Sequence, residues 1–203
     1  GETVLMTAAR TGKADTIKLL LSRGADVNAR DGYRGQSALM WAAATNNVDA
    51  IRALVEAGAD LRAKTNNPPR GTGGAIFTTP APTGFTPLLF AVRAGHLAAV
   101  QALLDAGANV NETLSDGESA LIVAASNAHW ELAMTLLDRG ADPNAAVAGW
   151  NALHQAVKTR RPNFGDPAPF PTGTVDSIHV IEKMIARGVN INARMTKNGM
   201  KDG

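Results

Sequence analysis

The chain has no cysteine, which excludes disulfides, thiolate nucleophiles and thiolate metal ligands and leaves the redox compartment open. Aromatic residues are scarce, 4% of 203 residues, so a core built on large rings is not expected. No apolar run approaches the ~18 residues that a membrane span requires. Neither sign of charge dominates. The 20 Lys and Arg stand against 18 Asp and Glu, and the net charge of +2 gives no electrostatic case for a nucleic-acid partner. What remains abundant is alanine and small aliphatic side chains within a 45% hydrophobic composition. Such side chains suit helices that approach one another closely.

The strongest signal is a refrain. Leu5, Leu39, Leu88 and Leu121 are each followed 19 residues later by a glycine, at Gly24, Gly58, Gly107 and Gly140. A fifth pair, Leu153 and Gly188, is spread to 35. A period near 33 residues marks a stacked solenoid rather than one globular core. The third copy shows why each unit is two short helices. Thr86 is an N-cap whose hydroxyl can take a first-turn amide, and Pro87 falls at N1, where its missing N–H costs nothing. Gly95 closes that helix. A second helix runs from about Leu97 to Ala106, with Leu97, Val100, Leu103 and Leu104 on one stripe. Gly107 then ends it at a position that calls for a left-handed backbone. The N-cap series Thr3, Ser37, Thr86, Ser119 and Asn151 recurs at every copy. Each turn after the terminating glycine ends in Asn28, Asn111, Asn144 or Asn192, except the second, which has Arg62.

Thr86-Pro87-Leu88-Leu89, Gly95-His96 and Gly24-Ala25-Asp26-Val27-Asn28 resemble the Thr-Pro-Leu-His box, the Gly-His turn and the Gly-Ala-Asp-Val-Asn tail of the ankyrin repeat. The resemblance covers nearly the whole chain. It implies an all-α solenoid of helix-turn-helix units with hairpin-like fingers, about five repeats, forming a single domain over 1–203. The expected repeats span about 1–31, 32–65, 84–115, 116–148 and 149–193. Met6, Met40, Leu89 and Ile122 stand where the family often has histidine, so the inter-repeat hydrogen bond credited to that histidine is expected only at His154.

The leucines recur at intervals of 34, 49, 33 and 32, which locates an insertion at 66–83, in place of a finger. A second insertion, 161–173, splits the fifth copy between its helices. Both are rich in Pro and Gly and read as loops at opposite ends of the helices. Their phenylalanines, Phe77, Phe164 and Phe170, either tuck the loops onto the stack or serve a partner, and the finger insertion is the better functional candidate of the two. A partial further finger is expected over 194–203. Gly1 in place of Met, and an end on a turn-like Lys201-Asp202-Gly203, point to a fragment of a longer chain. The missing cysteine and the Pro/Gly-rich insertions look bacterial-like. Localisation is left open.

Catalysis finds little footing. No His-Glu-x-x-His helix, phosphate loop or nucleophile elbow is present, and Gly71-Thr72-Gly73-Gly74 lacks the Lys-Ser/Thr that a phosphate cradle needs. His96 and His129 share one helix-turn slot, and His179 lies on a polar helix side. Trp41, Phe90 and Trp130 read as core or near-core packing. No catalytic residue, metal site or cofactor is expected. The resemblance implies instead a scaffold that binds a protein or peptide through its concave face and fingers. By register the expected binding residues are Arg10, Tyr33, Arg34, Gln36, Thr45, Phe85, Arg93, Glu118, Asn127, Trp150 and Lys158, a mixture of arginine, aromatic and small polar side chains of the kind that supplies interface hot spots. An acidic segment would suit Arg10, Arg93 and Lys158. A monomer is expected. The alternative is a regulatory or targeting module of a larger enzyme.

Overall fold

The computed structural model describes residues 1–66, 83–160 and 173–195, the side chain of Arg160 excepted. The tips of both insertions, 67–82 and 161–172, and residues 196–203 lie outside the described residues, and with them Phe77, Phe164, Phe170 and the glycine run at 71–74.

Each first helix starts where the sequence supplies a short polar side chain. These helices are α1 (Val4–Thr11), α3 (Ala38–Ala44), α5 (Pro87–Ala94), α7 (Ala120–Ser126) and α9 (Ala152–Arg160). Thr3, Ser37, Thr86 and Ser119 accept the third-residue amide at 3.2, 3.4, 3.2 and 3.3 Å, and Asn151 accepts that of His154 at 3.2 Å. Each bond satisfies one of the amides that a helix start leaves unpaired. The second helices are α2 (Ala14–Ser22), α4 (Val48–Glu56), α6 (Leu97–Asp105), α8 (Trp130–Asp138) and α10 (Ser177–Ala186). They stop just before glycines with φ of +80° to +96°, a backbone that costs an L side chain heavily.

Two rows of helices result. The first helices pack in series, α1 on α3, α3 on α5, α5 on α7, α7 on α9, and the second helices form a parallel row behind them. One continuous core runs from Leu5 to Val189. Leu39, Leu88 and Leu121 are sealed within it, each contributing on the order of 2 kcal/mol of apolar burial. Chain segments between repeats form fingers. Arg30 pairs with Ser37 and Thr113 with Ser119 as isolated bridges, and strands β1 (Ala146–Val147) and β2 (Trp150–Asn151) make a hairpin. Its two turn residues, Ala148 and Gly149, both take positive φ, as a two-residue hairpin turn demands.

Repeats are also tied by polar side chains. Asn28 donates to the Gly58 carbonyl at 3.2 Å and accepts the Asp60 amide at 2.8 Å. Asn111 does the same with Gly140 and Asp142, and Asn144 with Gly188 and Asn190. Arg62 breaks this ladder between the second and third repeats. Fingers carry the link there instead: Arg30 donates to the Lys64 carbonyl, and Lys64 reaches the Thr113 carbonyl at 3.2 Å.

The histidines correct an expectation. His154 does not bridge repeats; its ring and amide close on Asn151, the N-cap of its own helix. Met6 and Met40 occupy the same place, their sulfurs accepting the N-cap amide at 3.4 Å. The inter-repeat bonds come from His96 and His129, which reach the Ala44 and Arg93 carbonyls at 3.2 Å. Asn47 fills the same slot in the second repeat and donates to the Ala9 and Arg10 carbonyls. These side chains pass over a glycine: a Cβ on Gly95 would lie 2.7 Å from the His129 ring, and one on Gly12 2.6 Å from Asn47.

Candidate functional site

The face between first helices and fingers is built from three register rows. Three residues before each repeat leucine stand Glu2, Gln36, Phe85, Glu118 and Trp150; two after it stand Thr7, Trp41, Phe90, Val123 and Gln155; five after it stand Arg10, Ala44, Arg93, Ser126 and Lys158. All three cations of the last row lie over an aromatic ring. Arg10 sits 5.4 Å from the Trp41 centroid across a repeat boundary, Arg93 5.2 Å from Phe85, and Lys158 5.9 Å from Trp150. A cation held over a ring is attracted to its negative face and is partly pre-positioned. Arg10 also approaches Glu2 at 4.0 Å, an exposed pair that contributes little.

The expected binding residues do not all join this face equally. Phe85 is buried, 5% exposed, packed on Phe90 at 5.2 Å, and presents only the Arg93 that covers it. This burial corrects its placement as a surface residue. Thr45 turns its hydroxyl back to the Trp41 carbonyl at 2.8 Å, and Asn127 donates to Val123 at 2.8 Å, so both spend polarity on their own helix. Tyr33, Arg34 and Gln36 belong to the first finger, whose turn is organised by Asp31. Asp31 accepts the amides of Tyr33 and Arg34 at 2.7 Å and of Gln36 at 2.8 Å. Burial pushes the Asp31 carboxyl up, but these backbone donors outweigh it and hold the group below its ordinary value. Arg34 stands over the exposed Tyr33 ring at 5.6 Å. Glu118 is half-buried, and burial together with nearby Asp116 raises its carboxyl above the ordinary value. Trp150 is half-buried and stacks on His154, centroids 5.3 Å apart.

By register Trp41 reads as core or near-core, and it packs against the core while staying half-buried beneath Arg10. Its row offered the signal: the same slot is Thr7 and Gln155 in the end repeats, so it borders water. A further feature sets the face apart. Among the described residues, three buried side-chain polar atoms lack a hydrogen-bond partner, Trp41 Nε1, Ser126 Oγ and Trp150 Nε1. All three fall on these rows. Unsatisfied buried donors are rare enough to require a cause.

A cavity of about 350 Å³ lies at the end of the stack, lined by Leu153, Val157, Ile191 and neighbouring residues that include Trp150 and Lys158. Register explains its apolar walls. Val157 is 56% exposed, whereas its counterparts Ala9, Ala43, Val92 and Ala125 are all at 0%, covered by the repeat that follows. The cavity is therefore the stacking face of the fifth repeat. Among the described residues no group of three His, Cys, Asp or Glu could hold a metal, and no helix is long and apolar enough to cross a membrane.

Comparison with known proteins agrees with the repeat geometry. A family profile for ankyrin repeats (3 copies) matches residues 1–65 and 88–165, and a second, for ankyrin repeats (many copies), matches 39–104. The chain belongs to the ankyrin-repeat family. It is similar to the ankyrin repeat and SAM domain-containing protein 6 of Danio rerio, 32% identical over 163 residues. That match covers 79% of this chain and 18% of the relative, so the chain spans under a fifth of the relative's length. A vertebrate relative lends no support to the bacterial-like expectation. Ankyrin repeats are in general modules of protein–protein interaction, typically without catalysis.

Proposed function

We propose that this chain is a non-catalytic scaffold that binds a protein or peptide partner along the first-helix face and the adjoining fingers, as a monomer and without nucleic acid. The observation that carries the reading is the row of cations seated on aromatic rings, with every unpartnered buried polar atom of the described residues on that same face. A face whose side chains are already held loses little conformational freedom on binding. Arg and Trp are also the residues that most often dominate interface energetics. Among the described residues, second-helix surfaces show no such feature. They carry scattered ion pairs, such as Arg139 with Asp105 and Lys183 with Asp138, which tie one repeat to the next.

The small share of the relative that the chain matches favours a module within a larger protein, the wider form of the alternative in which it targets or regulates an enzyme. The test is capture of partners by the chain and by an Arg10→Ala/Arg93→Ala/Lys158→Ala variant. Loss of a partner from the variant, with unchanged melting, supports the face. Retention of every partner would remove it.

A further inference from the structure

We infer that a sixth ankyrin repeat of the same polypeptide docks on the open face of the fifth, over Val157 and Ile191 and onto Asn192 and Arg194. This site lies apart from the first-helix binding surface and stands whether or not that surface binds a partner.

Three features tie repeats to their successors, and all three recur at the fifth repeat, unengaged among the described residues. The first is apolar cover. Val157 is exposed where its four counterparts are sealed. Ile185 is 52% exposed and Ile191 66%, whereas Leu137 and Pro143, at their places in the fourth repeat, are buried. A terminal repeat that caps a solenoid turns a polar face outward. The fifth repeat instead presents the cavity walled by Leu153, Val157 and Ile191.

The second feature is the asparagine ladder. Asn192 stands four residues after its terminating glycine, as Asn28, Asn111 and Asn144 do. Its amide is held by the Asn190 side chain at 2.9 Å, as that of Asn28 is held by Asp26. The other three asparagines each join a glycine carbonyl and the amide two residues beyond it in the next repeat. The Asn192 carboxamide is exposed, with no such bond among the described residues. The third feature is the finger link. Arg30 and Lys64, six residues after their glycines, each donate to the carbonyl of the same slot in the next finger. Arg194 holds this slot in the fifth repeat and is exposed.

These positions continue the interfaces already formed between repeats, and they specify what completes them. A carboxamide both donates and accepts, so it needs a carbonyl and an amide together. The glycine that ends a second helix, with the turn after it, supplies that pair. A second copy carries the same groups at Gly24 and Asp26, but head-to-tail contacts between copies that do not close run on into filaments. The turn at Asn192 is also the one that leads onward elsewhere in this chain. Asn28, Asn111 and Asn144 precede the caps Ser37, Ser119 and Asn151 by seven to nine residues. A repeat tethered that closely meets its site at an effective concentration on the order of millimolar.

The test is hydrogen exchange of the full natural polypeptide that carries this chain, set beside the 203-residue chain, with no partner added. The amides of α9 and α10 should exchange about tenfold more slowly in the full polypeptide, with α1 to α4 alike in both. Asn192→Ala should remove about fivefold of that protection, yet leave the melting of the 203-residue chain unmoved. Equal exchange of α9 and α10 in the two proteins would overturn the inference. Protection that grows in the 203-residue chain with its own concentration would give the face to a second copy, and so overturn it. Protection that arises only with a separate captured protein would overturn it in favour of that partner.

Discussion

Thr65 and Phe85, twenty residues apart, are joined as though adjacent strands of one finger: the Thr65 amide donates to the Phe85 carbonyl at 3.0 Å, and the Phe85 amide to the Thr65 hydroxyl at 3.0 Å. Asn66 and Thr83 are fixed to the neighbouring fingers, Asn66 donating to Arg34 at 2.8 Å and Thr83 accepting from Ser115 at 2.9 Å. The insertion thus leaves and rejoins the stack at a closed base. Replacing 67–82 with a short turn should shift stability by no more than about 0.5 kcal/mol, since loop closure depends only weakly on length. Thermal melting checks this. A loss of several degrees would mean that the inserted residues hold the finger.

Glu112 should make the protein more stable as the solution is acidified from neutrality. It is buried, 8% exposed, in a slot that is Ala29, Ala63, Ala145 and Ala193 in the other repeats, and it accepts the Thr86 hydroxyl. Burial raises its carboxyl above the ordinary glutamate value of 4.5. The folded form therefore holds the proton more tightly than the unfolded chain, and this contribution is full below 4.5 and lost as pH rises through the folded value. Glu112→Gln keeps the acceptor and removes the charge. Its melting temperature should exceed that of the parent at pH 7, and the gain should vanish below pH 4.5.

Identical substitutions at equivalent places should differ according to whether a repeat covers them. Val92→Ala should cost about 2 kcal/mol, because Val92 is sealed between repeats. Val157→Ala, four residues after its own leucine as Val92 is, should cost under about 0.5 kcal/mol on an exposed end. Chemical denaturation of both variants compares them.

His129→Ala should destabilise by about 1–3 kcal/mol, since it leaves the Arg93 carbonyl at a helix end without its donor. His129→Asn should recover part of the loss, because Asn47 performs this bond in the second repeat. Equal losses in the two variants would show that the ring matters for packing over Gly95 rather than for the bond.

Local chemistry was legible and partnership across repeats was not. Thr86, Pro87, Gly95 and Gly107 act within a few residues of themselves, so their cap and turn roles follow from spacing alone. His129 finds its acceptor 36 residues away, and only the stack brings Arg93 to it. Phe85 shares a slot with the partly exposed Trp150, yet it is buried because Arg93 folds over it and Phe90 packs beside it. Trp41 is near-core as its register implies, packed against the core yet half-buried, and only the stack shows that Arg10 of the preceding repeat lies over it. Register found the rows, but occupancy by neighbours decided which members reach the surface.

The central claim is that partners bind the first-helix face, and hydrogen exchange of the chain with and without a captured partner measures it most directly. Protection is expected along α1, α3, α5, α7 and α9 and in the finger at 30–37, with α2, α4, α6, α8 and α10 unchanged. Protection confined to the second helices would contradict the account.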